Sequence, residues 1–422
     1  MKKIVILLAT ILASTCALGW GQQSVLETGK TSSLVDLIIE AKRNNSDLLA
    51  AESAWQAAAH VSRQVTTLPD PHFTVQTFSV GSPKPFAGFS NSDFAYIGFG
   101  ASQDLPFPGK LRLRGEVAER EADAKQKQAD LLRSSIVEQV KLNYLQLAYL
   151  QQTLRLLEQS EAVLRQLVTD ATERYKVGQG DQAGILQAQL QRTKLLREIS
   201  LHHQQTGKVQ AALKEFLHRS QFSPDIVAEA LAASPFKANP QELAQVVHAQ
   251  NPAVSVGQEL LQKQASQLAL AKRESRPDFN LGYQYQRTGD QFRDYYMLTL
   301  GIQLPRRRRQ HEEVAEAAAM QDKSKQELDA ELQKQLANLQ SELVNLRSSE
   351  ELLKVYNDGL LPQAEARYRS VLSGYQSSRQ DFGAVLTAFL DTLNLQMEFQ
   401  QTVADHESAL ARLETLTGAN LR

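Results

Sequence analysis

Two hydrophobic rhythms alternate along this chain. From Gly109 to Ser223 there is no proline, and Ile136, Val140, Leu147, Leu150, Leu154, Leu157, Leu164, Val168, Ala171 and Tyr175 follow a three-four spacing broken only at Asn143 and Glu161. Leu332, Leu336, Leu339, Leu343, Leu346, Leu353, Leu360, Ala364 and Val371 repeat that rhythm later. Sustained heptads predict long helices packed as coiled coils against other helices. At 1.5 Å per residue, a helix over 109–175 is roughly 100 Å long. Pro362 predicts a kink that does not end the second long helix, since the pattern resumes beyond it.

Before each long helix the period changes to two. Phe279, Leu281, Tyr283 and Tyr285 alternate with Asn280, Gly282, Gln284 and Gln286; Tyr296, Leu298, Leu300, Ile302 and Leu304 alternate with Met297, Thr299, Gly301 and Gln303. The stretches 72–80 and 94–102 are less cleanly patterned but equally aromatic. Strands of this length, apolar on one face and small or polar on the other, suit an outer-membrane barrel. The competing reading is two soluble hairpins on a core, for which no separate core segment is present. Four strands cannot close a barrel, and lipid does not tolerate open edges, so several chains must share one. The turns 81–93 and 287–294 then lie outside the cell, and the ends at Pro106 and Pro305 face the periplasm.

The two halves are copies. Tyr175, Asp181, Leu186, Ala188 and Leu213 recur as Tyr375, Asp381, Leu386, Ala388 and Leu413, Pro106 recurs as Pro305, and "PHF" at 71 recurs as "PDF" at 277. A fixed-period self-similarity indicates duplication. The expected organisation is a first repeat over 33–222, with strands 72–80 and 94–102 and helices 109–175 and 181–218. A linker covers 223–240. The second repeat spans 241–418, with strands 279–286 and 295–304 and helices 306–372 and 381–417.

Composition narrows the compartment. The first residues carry Lys2 and Lys3, an apolar run from Ile4 to Ala13 and small residues at Ala17 and Gly19, which reads as an export signal over 1–19. Cys16 as a lipoprotein acceptor is the competing reading; Ala13, Ser14 and Thr15 before it make a poor acylation site. It is the single cysteine, so cleavage leaves no thiol or disulfide chemistry. A net charge of −1 gives no overall attraction to polyanions. No stretch after the signal is long and apolar enough for a membrane helix.

Two places concentrate candidate chemistry. The first is the strand-to-helix junction: Pro106, Pro108, Gly109 and Lys110 in one repeat, Pro305 and Arg306 in the other. Its cations Lys110, Arg112, Arg114 and Arg306 to Arg309 are expected at the inner membrane surface, snorkelling toward anionic groups, or lining the tunnel mouth. Glu312 and Glu313 lie close enough to neutralise part of the cluster, and a solvated face is the alternative; nucleic acid is not an expected partner of an exported chain. The second place is the pair of heptad breaks at Gly178 and Gly180 and at Ser373 to Arg379, each expected to be a tight helix reversal. The histidines show no i,i+4 pair, no HExxH and no Cys/His cluster, so no metal site is expected. No nucleophile, phosphate-loop or paired-carboxylate motif supports an enzyme or a cofactor.

"QDLPFPGKLRLR" at the first junction, "YKVGQGDQAGILQAQ" from Tyr175 and "GYQSSRQDFGAVLTA" from Gly374 resemble the TolC-like outer-membrane factors, over about Ser33 to Gly418. "PFPGK" looks like the heavy-metal efflux branch. The resemblance implies a homotrimer in outer-membrane lipid, with a 12-stranded barrel and a 12-helix periplasmic tunnel. It implies a passive exit duct of a tripartite efflux pump or type I secretion system, joined to a periplasmic adaptor and an inner-membrane pump. A non-channel periplasmic coiled-coil structural or adhesive protein is the alternative. The reversals become the periplasmic tips, where the tunnel constricts. Aspartates common there in the family are replaced here by Gly184, Ala384 and Thr387, leaving Asp181, Asp381 and Asp391 as substitutes and Arg379 as an ionic latch. Capping or solvation is the alternative role for those three aspartates.

Overall fold

The computed structural model describes residues 31–422 apart from 86, 90–93, 179, 238, 289–293, 420 and 422. The export signal, Cys16 and parts of the two proposed outer loops lie outside the described residues. The first repeat consists of α1 (Leu34–Asn44), α2 (Ser46–Val65), β1 (His72–Phe78), β2 (Tyr96–Leu105), α3 (Lys110–Lys176) and α4 (Gln182–Phe216). The second consists of α5 (Pro240–Gln250), α6 (Pro252–Glu274), β3 (Asp278–Thr288), β4 (Asp294–Gln303), α7 (Arg307–Val355), a π turn (Tyr356–Leu360), α8 (Leu361–Gln376) and α9 (Phe382–Thr417).

Four helices were not anticipated from the sequence, and they place the long ones. Each repeat opens with a short helix that breaks at an asparagine and restarts: α1 and α2 meet at Asn45, α5 and α6 at Asn251. Asn45 Oδ1 accepts from the N–H groups of Asp47 and Leu48, and Asn251 Oδ1 from those of Ala253 and Val254, so each satisfies orphan donors of the helix that follows. α2 packs along α3, and α6 lies between α3 and α7.

The strands form one antiparallel sheet in the order β1-β2-β3-β4, the two repeats joining at β2 and β3. Its register sorts side chains by chemistry. Phe73 and Val75 align with Ala101 and Phe99, these with Tyr283 and Tyr285, and these with Leu298 and Tyr296, so an apolar face crosses all four strands. The opposite face carries Thr74, Gln76, Gly98, Gly100, Ser102, Asp104, Asn280, Gly282, Gln284, Thr299 and Gly301. Its amides bond across strands, Asn280 Nδ2 to Asp104 at 2.7 Å and Gln284 Nε2 to Gln76 at 2.5 Å. The apolar face is open to solvent in the single chain: Phe73 is 78% exposed, Leu298 73% and Leu300 66%. Among the described residues no strand pairs with the outer edge of β1 or of β4.

The helices hold their cores in series. Near the sheet-distal middle, Leu37 and Leu48 pack with Val140, Tyr144, Leu147, Leu213 and Ile226. The second repeat builds the counterpart from Leu243, Val247, Leu339, Leu343, Leu346, Leu410 and Leu413. A third cluster, Leu157, Leu164, Ile185, Val385, Leu386 and Phe389 among others, joins the two hairpins toward their reversals. Each fully buried leucine contributes about 1.5–3 kcal/mol relative to exposure. The linker between repeats packs on the first cluster through Ile226 and Ala228 and is held by side-chain amides: Gln151 and Gln210 both donate to the carbonyl of Ile226, and Gln210 accepts from the Ile226 N–H. The Tyr144 hydroxyl accepts from the Glu229 N–H and donates to the carbonyl of Ser32.

The offset between repeats is 199 positions at Pro106/Pro305 and at the buried pair Leu147/Leu346, but 200 at Tyr175/Tyr375. The additional residue falls at the π turn, just before Pro362. A turn widened by one residue accommodates a ring that would otherwise clash with the carbonyl four residues earlier.

Candidate functional site

At the first junction the chain leaves β2 through Pro106, Phe107 and Pro108, turns at Gly109 with φ of 94°, and enters α3 at Lys110. The positive φ calls for glycine, and the space beside it is taken by the Arg273 guanidinium, 3.3 Å from where a Cβ would sit. Lys110 does not snorkel. It is 1% exposed, its Nζ lying 2.9 Å from Glu274 Oε2 and 2.9 Å from Asp278 Oδ1. Asp278 also accepts from the Phe107 N–H at 2.7 Å, Glu274 pairs with Arg114 at 2.8 Å, and Arg273 donates to the carbonyl of Pro108 at 2.7 Å while covering the Phe107 ring. One buried ammonium between two carboxylates thus ties the start of α3 to the end of α6 and the start of β3. Such a group is tolerated only when its partners are complete.

The other cations behave differently. Arg112 is exposed and pairs with Glu116; Arg309 pairs with Glu313 at 2.7 Å; Arg306 to Arg309 lie in the open just after Pro305. The expectation of cationic stems reaching outward therefore fails at Lys110, because Asp278 and Glu274 lie within reach across the repeat boundary. Their placement is set by β3 and α6, which no local motif at 106–114 reveals.

At the far ends of the hairpins, the first reversal passes through Gly178, with φ of 75°, and Gly180 to Asp181; the second passes through Ser378, with φ of 58°, and Arg379 to Asp381. Asp181 accepts from the Ala183 and Gly184 N–H groups, and Asp381 from that of Ala384 at 2.7 Å, so both cap helices. Asp391 pairs with Arg367 at 2.6 Å, one level back from the reversal. Among the described residues Arg379 forms no ion pair; its backbone N–H donates to Gly374. A cavity of 630 Å³ between the hairpins is lined by Gly180, Asp181 and Asp381, together with Arg174, Gln187 and Tyr375.

Sequence reasoning missed the group that joins the two reversals. Arg174 donates to the carbonyls of Tyr375 and Gln376 and stacks 4.5 Å from the Tyr375 ring centre, which in turn contacts Phe382. Burial pushes the Tyr375 hydroxyl above its usual range, with the Arg174 charge acting the other way. The one available signal was asymmetry: the repeat counterpart of Arg174 is Gly374, where Gln380 fills the space.

The comparisons with known proteins agree with this architecture. Residues 37–217 match the family model described as outer membrane efflux protein. No curated protein matches the sequence. Among solved structures the chain is similar to CusC, whose structures concern folding and transmembrane channel formation, at 16% identity and a TM-score of 0.79 over 92% of each chain. It is similar to the outer membrane protein VceC of Vibrio cholerae at 18% identity and 0.78, covering 92% of this chain and 97% of that one. The open state of the MtrE outer membrane channel of Neisseria gonorrhoeae gives 15% and 0.76, covering 92% and 89%. The chain therefore shares the fold of these outer-membrane channel structures over more than nine-tenths of its length, and its first repeat matches the outer membrane efflux protein model.

Proposed function

We propose that the chain is a passive exit duct of the outer membrane, assembled as a homotrimer whose sheets share one 12-stranded barrel and whose helices continue it through the periplasm. The observation that carries this is the sheet: four strands with a continuous exposed apolar face, a face of amides and glycines behind it, and two outer edges without partners among the described residues. An apolar outside and a polar inside are what lipid and a water-filled lumen require, and lipid does not accept the open edges.

On this reading, the tips at Gly178, Gly180, Asp181, Arg379, Asp381 and Asp391 meet the adaptor of a tripartite efflux pump or type I secretion system, and energy comes from the inner-membrane pump. Cargo stays at the level of exported solute or protein. The test is reconstitution of the purified protein in planar bilayers, together with membrane fractionation. Discrete ion-conducting steps and recovery with the outer membrane are expected. Recovery only in the soluble periplasm, with no conductance, ends the channel reading and favours a structural coiled-coil role.

A further inference from the structure

Charge is balanced at one end of the β3–β4 pair and unbalanced at the other. At the turn end Arg287 lies opposite Asp294. At the helix end the same two strands adjoin exposed cations on both sides: Lys272 and Arg276 just before β3, and Arg306, Arg307 and Arg308 just after β4. The register brings these two segments together, since Asp278 faces Gln303 across the pair. Among the described residues these five side chains have no ion pair and no side-chain hydrogen bond.

The carboxylates at this end are already engaged. Glu274 and Asp278 enclose the Lys110 ammonium, and Glu274 also meets Arg114. Glu313 is held by Arg309 at 2.7 Å and by the Gln310 amide at 2.8 Å, while Glu312, one turn beyond Arg308, lies 3.9 Å from His311. Asp70 precedes β1, at the opposite edge of the sheet. The three arginines also stand where α7 begins, at the positive end of its dipole, and the first turn contains no acidic residue. Such a gathering destabilises a helix start unless an anion from outside the chain offsets it. The first junction differs: Lys110, Arg112 and Arg114 each have a carboxylate of the same chain.

The neighbouring surface says which anion. Ile302, Leu304 and Arg306 follow one another at alternate positions, and Ile302 and Leu304 are 56% and 74% exposed. The cations therefore begin where the band of exposed apolar side chains ends. A free anion in water gains nothing from that band, whereas a lipid lays its chains against it and carries a phosphate just beyond. We propose that Lys272, Arg276, Arg306, Arg307 and Arg308 form a shelf that binds the phosphate groups of anionic phospholipids in the periplasmic leaflet of the membrane crossed by the sheet. The inference rests on the barrel reading and adds a ligand to it. Guanidinium groups suit the task, because their planar fork takes two phosphate oxygens at once and stays charged. A zwitterionic lipid carries the same phosphate but brings an ammonium that competes for it. A lipid of net negative charge does not.

The test uses the full-length protein purified in a neutral detergent, with bound lipid counted by native mass spectrometry as phosphatidylglycerol or phosphatidylethanolamine is added. The parent is expected to hold phosphatidylglycerol roughly tenfold more tightly than phosphatidylethanolamine, and to lose that preference as salt is raised. The triple change Arg306→Gln, Arg307→Gln and Arg308→Gln is expected to remove most of it. A control with Lys194→Gln, Arg197→Gln and Lys208→Gln loses the same charge from exposed positions of α4 and is expected to keep it. Should the triple variant not fold, the parent's preference and its salt dependence still decide. Equal binding of the two lipids by the parent, a preference indifferent to salt, an undiminished preference in a folded triple variant, or an equal loss in the α4 control overturns the shelf. So does displacement of phosphatidylglycerol by millimolar inorganic phosphate, which marks a site for a free anion. Conductance of the parent is read separately: lipid preference without conductance leaves the shelf and removes the duct, and conductance without lipid preference does the reverse.

Discussion

Asn45 and Asn251 perform the same two tasks in the two repeats. Each caps the helix that follows it and donates its side-chain amide to the last turn of a distant long helix, Asn45 to the carbonyl of Phe216 at 3.2 Å and Asn251 to that of Leu416 at 2.9 Å. An asparagine is needed because the two tasks call for an acceptor and a donor on one short side chain. Replacement by alanine is expected to lose the cap, about 1 kcal/mol, and to leave a carbonyl at a helix end unpaired, about 1–3 kcal/mol more. Serine keeps the cap and loses the donor, so Asn251→Ser is expected to fall between parent and Asn251→Ala. Urea or thermal unfolding followed by circular dichroism orders the three; equal stability of Asn251→Ala and parent contradicts the dual role.

Removing the ammonium at the junction is expected to be costly. Lys110→Met leaves Glu274 and Asp278 facing each other without their shared cation, for a loss of about 3–5 kcal/mol. Limited proteolysis checks this locally, with new cleavage expected near 105–115. The double change Asp278→Asn with Lys110→Met is expected to recover part of the loss. Gly109→Ala strains the left-handed turn and displaces Arg273, and is expected to produce a milder form of the same cleavage.

The tips separate two kinds of residue. Asp391 and Arg367 are both about half exposed, and their ion pair contributes about 0–1 kcal/mol. Arg379→Ser, which breaks no ion pair or side-chain hydrogen bond among the described residues, is expected to raise single-channel conductance with no change in unfolding midpoint. Arg174→Ala unfastens one reversal from the other and is expected to change both. Unchanged conductance in the two variants places the constriction elsewhere along the tunnel.

A pH effect is expected at Glu138. Burial raises its pKa above the usual carboxylate range, with Arg412 and Thr415 acting in opposition. A carboxyl whose pKa is raised on folding adds stability in its protonated form. That contribution is complete below the ordinary carboxylate pKa and is lost as pH rises through the raised value. Glu138→Gln is therefore expected to flatten the pH dependence of the melting temperature in that window and to favour stability above it. A steeper dependence in the variant reverses the assignment.

The long helices and the strands were legible because their signals are periodic and local: the heptads of α3 and α7, the alternation of β3 and β4, the glycines and serines at the reversals. The offsets near 200 made the duplication visible as well. The helices before each strand pair were not, since α1 and α5 are 11 residues each and their limits are set by caps rather than by a long stripe. Lys110 read as an outward-facing cation because its partners lie 164 and 168 positions away. What holds the linker over 223–240 was not legible for a related reason. Its order comes from Gln151, Gln210 and Tyr144, residues that pass in sequence for ordinary positions on a helix.

The widened turn at Tyr356–Leu360 gives the two repeats different tolerance to insertion and deletion. In a continuous α-helix one residue more or less swings everything beyond it by about 100°, enough to turn a buried stripe toward water. α3 runs unbroken from Lys110 to Lys176 and has no place to hide such a change. The second repeat has already absorbed one, and beyond it Tyr368, Val371 and Tyr375 still pack against the cluster of Phe382, Val385 and Phe389. Loss of a residue there returns the helix to an ordinary α-helical turn with its tip in phase, so a one-residue change of length is accommodated on the α7 side of this chain and not on the α3 side.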